Sequence, residues 1–562
     1  MPKVNGGWIV AKTLSDLGIK HIFTLSGGHI NPIYNACQEF GIHLIDTHNE
    51  QGASMAADAY GRITRKPGVC LTTAGPGLTN AITGIAGSFL ANSPCLYISG
   101  RSGVEENDKL PLQEIDQQAM VTPVTKWARN IYDIKRIPEY LSLAYNKAIS
   151  GRPGPVYLGM SYEVLYPSIN RSEAEFKYTP VPSNKVEPDS DSISVALELL
   201  SKAKNPVVLA GSGTWYSGSS EILNEFIEMS GIPTFTLNLG RGIISDENEY
   251  CLGAASPSAP NGFREITGKA DLILMLGIRL SLYIGFGRTF SSKAKIIQVD
   301  IDAGEIGRNR PADLGIIGDI GKVLNKLVEK IKQDKLKFNF KTWHSKAAAI
   351  RKKAWAETAA IRRSNKKPIH VLRVITAVED VIGDDGMLAI DGGDTQAFSD
   401  GTYKVKLPGH YIKGGPLGCM GPGIPFALGI KAAVGEKKVA LISGDGAFGM
   451  NFMEFETAVR HNLPFVAVVC KDQRWGMTKH QMWISFGKEN PTVGVDLPFT
   501  PFHELAKVLG GYGELVTDPI NLEKAIERGF ASGVPAIINV KTDPDAISKA
   551  TYALTDMMTP KE

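Results

Sequence analysis

The 562-residue sequence has six cysteines, Cys37, Cys70, Cys95, Cys251, Cys419 and Cys470, with no Cys-x-x-Cys pair and no metal-ligand spacing among them. That excludes a cysteine-built metal site and a disulfide scaffold, and leaves reduced, buried thiols. No run approaches the ~18–20 apolar residues of a membrane span. The opening MPKVNGGWIVAKTL lacks the apolar stretch of a secretory signal and reads as a helix, so a cytoplasmic protein with no membrane partner is expected. Charge of one sign is also scarce. Lys and Arg number 61 against 58 Asp and Glu, a net +3 that gives no reason to expect a nucleic-acid partner. With 43% hydrophobic and 21% charged residues, disorder, coiled coil and collagen are excluded as well.

Glycine, in contrast, is abundant: 59 residues, about one in ten against a usual ~7%. Without a Gly-X-Y period, the excess belongs in tight turns where backbone approaches backbone or ligand. Short β-branched runs such as HIFTLSGG, GVCLTTAGPG, SPCLYISG and GPVYLGM alternate with helical patterns, the signature of parallel α/β sheets. The expected fold is therefore α/β, with three doubly wound parallel-sheet domains at 1–178, 190–345 and 366–550. A polar, Pro-rich linker is expected over 179–192, and the Lys-rich helical stretch 320–367 reads as a second connector.

The strongest local signal is Ser443-Gly444-Asp445-Gly446-Ala447-Phe448-Gly449, directly after the strand-like KVALI. Ligands of open α/β sheets sit at the carboxyl ends of strands. A glycine turn there offers backbone N–H groups to phosphate oxygens, and an aspartate within it can hold Mg²⁺. A second strand-like run, PFVAVVC, ends at Lys471-Asp472, which adds a second oxygen ligand.

This spacing resembles the diphosphate–metal motif of the thiamine diphosphate enzymes, which begins GDG and ends about thirty residues later in Asn-Asn or a variant. The resemblance implies a three-domain fold with pyrimidine, central and diphosphate domains, and Mg²⁺ held by Asp445, Asp472 and the backbone carbonyl of Arg474. It also implies phosphate contacts from Gly444, Gly446 and Ala447. Asp472 stands where the motif has its final Asn, which adds a negative charge facing a diphosphate. Lys471 either offsets that charge or points to solvent.

Other segments carry the same resemblance. Glu50, in DTHNEQGASMAADAYGR, reads by itself as a carboxylate opening a helix. The resemblance places it against the aminopyrimidine N1′ of the cofactor, where it would share a proton and favour the imino form that activates C2. Thr72-Thr73-Ala74-Gly75-Pro76-Gly77-Leu78-Thr79-Asn80 resembles the loop that packs on the pyrimidine and implicates Pro76 and Asn80; a plain strand–helix turn is the alternative. Gly392-Gly393-Asp394-Thr395 would meet the diphosphate. In Gly414 to Gly423, the Gly418 carbonyl would accept from the 4′-amino group. Met420 is either the wedge beneath the bent cofactor or a core methionine.

On the substrate side, Gly28 and His29 in SGGHI and Gln113 in PLQEIDQQ are catalytic candidates, His29 being otherwise structural. The SGGHI wording is similar to the branch holding 2-hydroxyacyl-CoA lyases and acetolactate-synthase-like proteins. Gln481 stands at the specificity tryptophan of true acetolactate synthases, and Asp472 with Trp475 looks more like the second type of 2-hydroxyacyl-CoA lyase. In the middle block Asp300 and Asp302 end a strand without a G-x-G-x-x-G fingerprint. Arg279 and Arg288 are phosphate candidates there, and FAD, an ADP or CoA moiety, or nothing remains open. The expectation is a thiamine diphosphate- and Mg²⁺-dependent carbon–carbon lyase or carboligase acting on a small-molecule 2-hydroxyacyl-CoA, with 2-oxo acid carboligation second. A flavin-dependent oxidase and a catalytically silent binding protein are further alternatives. The resemblance also implies a homodimer or homotetramer.

Overall fold

The computed structural model describes residues 2–174 and 185–558. Three six-stranded parallel sheets follow one another along the chain. In the first, the strand order in space is His43–Asp46, His21–Thr24, Gly68–Thr72, Cys95–Arg101, Pro155–Ser161, Trp127–Ile131. The third runs Tyr411–Lys413, Met387–Asp391, Val439–Gly444, Val466–Lys471, Ala536–Lys541, Tyr512–Val516. Helices cover both faces of each sheet, which is why central strands such as Pro155–Ser161 and Met387–Asp391 are buried along their whole length and read as apolar runs without alternation.

In each sheet the chain runs outward to one side and then crosses to the other side of its first strand; the first and third sheets reverse again at the far edge, where Trp127–Ile131 and Tyr512–Val516 lie outside Pro155–Ser161 and Ala536–Lys541. The first two strands to separate are His21–Thr24 from Gly68–Thr72, Pro206–Ala210 from Leu272–Leu276, and Met387–Asp391 from Val439–Gly444. Crevices at such reversals lie at the carboxyl ends of strands, where α/β proteins bind ligands. The loops there are SGGH and TAGPG, AGSG and LGIR, DGGD and SGDG. Much of the glycine excess thus has a structural address.

The outer domains share one core. Ala53, Ala56, Ala57 and Ala59 of the helix Glu50–Thr64 pack with Ile424, Phe426, Ala427 and Leu428 of the helix Gly423–Val434. Small residues let the backbones touch: a methyl on Gly429 would stand 2.1 Å from the Ala56 carbonyl oxygen. Arg62 closes the seam. It pairs with Asp58, donates from Nη1 to the Lys413 carbonyl at 2.8 Å and covers the Phe426 ring at 5.0 Å. Its own carbonyl accepts from Trp215 Nε1 of the middle domain at 2.8 Å.

The stretch expected to be a second connector is different. Ile320–Gln333 is an amphipathic helix whose Val323, Leu324, Leu327, Val328 and Ile331 enter the middle domain's core. Trp343 and Ala347 of the following helix Lys341–Arg362 pack on that sheet's other face. Lysine content hid the apolar stripe, and only residues after Arg362 lead to the third sheet. Of the Pro-rich linker, 179–184 lie outside the described residues; Lys185–Asp189 carries no regular structure and Ser190 opens a helix.

Gly429→Ala should lower stability by about 1–3 kcal/mol through overpacking. Gly268→Ala, in the helix Phe263–Lys269 with only ordinary contact at 3.6 Å, should be neutral or stabilising by up to ~1 kcal/mol. Denaturant unfolding of the two variants separates a packing glycine from a dispensable one.

Candidate active site

The adjacent strands Val439–Gly444 and Val466–Lys471 pair with Gly444 opposite Cys470, so both halves of the metal motif emerge side by side. Asp445 opens the short helix Asp445–Met450 and accepts from Gly446 N at 3.0 Å. Gln473, at φ +59°, turns the chain back so that its N–H donates to Asp445 Oδ2 at 3.1 Å. Asp445 and Asp472 stand within hydrogen-bonding reach of each other. Burial raises both carboxyls; the Lys471 charge and the hydrogen bond with Asp472 partly offset it at Asp445, whereas the Asp445 charge adds to it at Asp472 and takes that group to about 7. Such a pair of hard oxygen donors, able to shed a proton, fits a divalent cation, with the turn at Arg474 beside it. Among the described residues no third His, Cys, Asp or Glu side chain joins them.

Around the pair lies a cavity of about 230 Å³, lined by Gly392, Gly393, Asp394, Thr395, Gly418, Met420, Gly444, Gly446, Ala447 and Arg474 among others. Gly392 holds φ +100° and Gly418 φ +70°, backbone that a side chain would strain. A methyl on Gly446 would strike the Trp475 ring at 2.7 Å, and one on Gly393 would strike Met477. This is a cradle of exposed backbone, as a diphosphate requires. Beneath it the fully buried Asp391 accepts from the N–H groups of Gly392, Gly421 and Gly423, and burial lifts its carboxyl to about 6. Met420 is partly exposed and lines the cavity, so it is not a core methionine. Asp394 lines the cavity, but its carboxylate is occupied by Thr551 Oγ1 at 2.6 Å, Ser548 N at 3.1 Å and His480 Nδ1 at 2.8 Å.

The N-terminal candidates assemble elsewhere. Asn49 caps the helix Glu50–Thr64 through Gln51 N, so Glu50 falls in its first turn with its side chain buried. Asn80 Nδ2 donates to Glu50 Oε2 at 3.0 Å. Pro76 begins the helix Pro76–Ala91 after Gly75 at φ +59°, and a methyl on Gly75 would meet the Gln113 carbonyl at 2.8 Å. His29 Nδ1 lies 3.3 Å from Thr73 Oγ1, which leaves Nε2 as the nitrogen for a substrate. Burial lowers its pKa, the Glu106 charge raising it less, so the ring is neutral at pH 7. The Gly28 carbonyl accepts from Tyr166 Oη at 2.7 Å. Glu50, Pro76, Asn80, Gln113 and His29 therefore form one neighbourhood at the carboxyl end of the first sheet. None of them lines the cavity around Asp445.

The middle sheet has its own crevice, about 420 Å³, bounded by Gly211, Ser212, Gly277, Arg279, Asp300 and Asp319 and by Arg65 and Arg152 from the first domain. Burial raises Asp300 to about 6. Arg152 pairs with Asp302 at 3.2 Å. Arg279 reaches this crevice; Arg288 does not, since it is exposed and stacked on Phe286 at 5.3 Å.

The sequence matches the thiamine pyrophosphate enzymes in three places: the N-terminal TPP binding domain over residues 4–120, the central domain over 193–327 and the C-terminal TPP binding domain over 391–540. It is 32% identical over 541 residues to an acetolactate synthase large subunit of Mycobacterium tuberculosis, covering 96% of each chain. The chain belongs to the thiamine pyrophosphate enzymes. A 2-hydroxyacyl-CoA lyase of Arabidopsis thaliana is 32% identical over 564 residues, covering 97% of this chain and 96% of the relative. A 2-hydroxyacyl-CoA lyase 2 of Bos taurus is 30% identical over 588 residues, covering 95% and 90%. This is a carbon–carbon lyase or transferase that uses thiamine diphosphate. Among the described residues no helix is long and apolar enough to cross a membrane.

Sequence motifs did not find every residue that builds this thiamine pyrophosphate enzyme's site. Gln117, buried four residues past Gln113, accepts from Gly75 N at 2.9 Å and donates to Ser99 Oγ, the Gly100 carbonyl and Tyr157 Oη. It holds the loop before Pro76. Glu454, also buried, reaches from the third domain to accept from His48 N and Asn49 N just ahead of Glu50. His480, next to Gln481, spans Asp394 and the Pro544 carbonyl; burial lowers its pKa, but these two acceptors outweigh it and raise it. Only the second glutamine of PLQEIDQQ gave a local hint.

Gln117→Leu removes four hydrogen bonds and strands the Gly75 N–H. It should cost about 1–3 kcal/mol in unfolding free energy and weaken thiamine diphosphate binding in a fluorescence titration. For His29, an imidazole NMR titration should show protonation only below the ordinary value near 6.5. In that window the unfolded chain binds the proton and the folded chain does not, so this residue's contribution to stability falls on acidification.

Proposed function

We propose that the enzyme cleaves a 2-hydroxyacyl-CoA to an aldehyde and formyl-CoA, using thiamine diphosphate with Mg²⁺ held by Asp445, Asp472 and the Arg474 carbonyl. The observation that carries the choice of substrate is the middle-domain crevice. Its volume lies in the range of small-molecule sites. Arg65 and Arg279 line it with cationic groups suited to phosphates, while Arg152 is paired with Glu305 at 2.5 Å and Lys185 faces Asp319 at 3.6 Å, and Asp300 ends a strand as an acceptor for ribose hydroxyls. An ADP moiety, which CoA carries, meets both. The names of the Arabidopsis and Bos taurus relatives support the same reading.

Bound thiamine diphosphate supplies the carbanion chemistry and the electron sink. Glu50, buried and oriented by Asn80, holds the proton that the aminopyrimidine ring shares. The backbone of Gly392, Gly393, Gly446 and Ala447, which lines the cavity, takes the diphosphate. Met420 shapes the cofactor from the rim, with the Gly418 carbonyl beside it. Neutral His29 offers Nε2 to a substrate oxygen, and Gln113 lies against the Gly75 turn. Acetolactate-synthase-like carboligation of 2-oxo acids is the second reading, favoured by the Mycobacterium relative. Incubation with thiamine diphosphate, Mg²⁺ and either a 2-hydroxyacyl-CoA or pyruvate, with products identified by mass spectrometry, decides between them. Aldehyde and formyl-CoA are expected; acetolactate from pyruvate alone would replace this reading with the second. Glu50→Gln should lower either activity at least ~100-fold.

The two half-sites lie apart within one chain, which supports a homodimer whose cofactor bridges the first domain of one protomer and the third of its partner. Leu110 and Leu112, 91% and 79% exposed beside Gln113, are apolar surface for that contact. Co-expressing Glu50→Gln with Asp445→Asn tests it. Mixed dimers would hold one intact site of two, so about a quarter of wild-type activity should return. No recovery beyond the sum of the inactive variants would place the whole site within one chain.

A further inference from the structure

The metal motif departs from the Asn-Asn pattern at two neighbouring positions, Lys471 and Asp472. The structure shows what the first of these does. Lys471 is the last residue of the strand Val466–Lys471 and is only 2% exposed, so its ammonium has not escaped to solvent. Its Nζ stands 3.6 Å from Asp445 Oδ2 and faces the rings of Phe499 at 4.8 Å and Phe502 at 5.3 Å. The other charged or titratable groups that act on it are Asp472 and His503, the latter held by Asn539 Nδ2 at 3.2 Å.

Each carboxylate needs a counter-charge in this setting. Two buried acids side by side repel each other, and a diphosphate adds further negative charge. A buried ammonium with no acid nearby is equally costly. Asp445 retains its ligand geometry because its close hydrogen bonds come from Gly446 N and Gln473 N. The ammonium sits beyond bonding distance, as a charge rather than a competing donor.

We infer that Lys471 and Asp472 act as one unit, in which a fixed cation built into the protein compensates an acidic metal ligand where the related motif uses two amides. Lys471 is thus a positioning residue for the charge of the metal–diphosphate site. It tempers divalent-cation affinity and maintains affinity for the anionic cofactor. This rests on the assignment of Asp445 and Asp472 as metal ligands.

The test is a double-variant cycle read by Mn²⁺ binding to the cofactor-free protein, followed by electron paramagnetic resonance. Removal of a unit charge so close to a divalent ion should change affinity by at least ~10-fold. Lys471→Met should bind Mn²⁺ more tightly by that factor, and Asp472→Asn more weakly. Lys471→Asn with Asp472→Asn should return to within about threefold of wild type, because the unit charges cancel. Thiamine diphosphate affinity at saturating Mn²⁺, read by tryptophan fluorescence, should fall in Lys471→Met and recover in the double variant. A folded Lys471→Met protein with unchanged or weaker Mn²⁺ binding overturns the inference. So does a double variant no better than its worse parent, which remains informative if Lys471→Met alone does not fold. The failure of Asp472→Asn to weaken Mn²⁺ binding would instead overturn the ligand assignment itself.

Discussion

The contact between the helices Glu50–Thr64 and Gly423–Val434 governs the arrangement of everything else. It is made by alanines and glycines that bring two backbones together, with Gly429 against the Ala56 carbonyl, so it has almost no freedom to slide. The buried Asp58–Arg62 pair locks its far end and joins all three domains through Lys413, Phe426 and Trp215. Removing one partner of such a pair typically costs about 3–5 kcal/mol, because the other charge stays buried. Glu454 grips the near end, immediately before Glu50. The helix carrying Glu50 is therefore oriented by the third domain as much as by its own.

That rigidity explains why the two half-sites can be separate and still well defined. Each sheet presents its reversal point and glycine loops, and the seam fixes the first and third sheets relative to each other. These loops present backbone N–H and C=O groups, whose positions follow from strand pairing. Side chains then stabilise the loops from behind: Gln117 under Gly75, Asp391 under Gly392 and Gly423, and Asp394 with His480 under the cavity floor. Burial raises the carboxyls of Asp391, Asp445 and Asp472 alike, so the floor and the mouth of the cavity share one low-polarity setting.

This division also explains what could be read in the sequence. Strands ending in SGGH, TAGPG, DGGD and SGDG are local patterns; they made the three-sheet fold legible, and DGGD and SGDG come together around the cavity beside Asp445. The supporting side chains act over long separations. Glu454 meets His48 and Arg62 meets Lys413 across hundreds of residues, and nothing in a local window signals either. The middle domain misled for a different reason. Lysines along Ile320–Gln333 suggested a solvated connector, although Val323, Leu324, Leu327, Val328 and Ile331 form a continuous apolar stripe at helical spacing. Arg288 and Arg279 looked alike in sequence, and only the course of the chain after Leu272–Leu276 sends one into the crevice and the other to the surface.

The separation of roles bears on how such an enzyme acquires its substrate. In thiamine pyrophosphate enzymes the cofactor brings the bond-breaking chemistry, and the cavity beside Asp445 is largely walled by backbone, so side-chain changes elsewhere need not disturb it. Side chains rather than backbone line two other places: the helix Gly476–Phe486, with Met477 and Gln481 on the cavity wall, and the middle-domain crevice with its borrowed Arg65 and Arg152. The crevice draws on two domains, so a ligand bound there would be felt at the seam through Arg65, which stacks on Trp215 one helical turn from Arg62. Affinity for the distant end of a substrate and orientation of the helix bearing Glu50 then become parts of one structure, and binding energy gained far from the reacting bond can be applied at it.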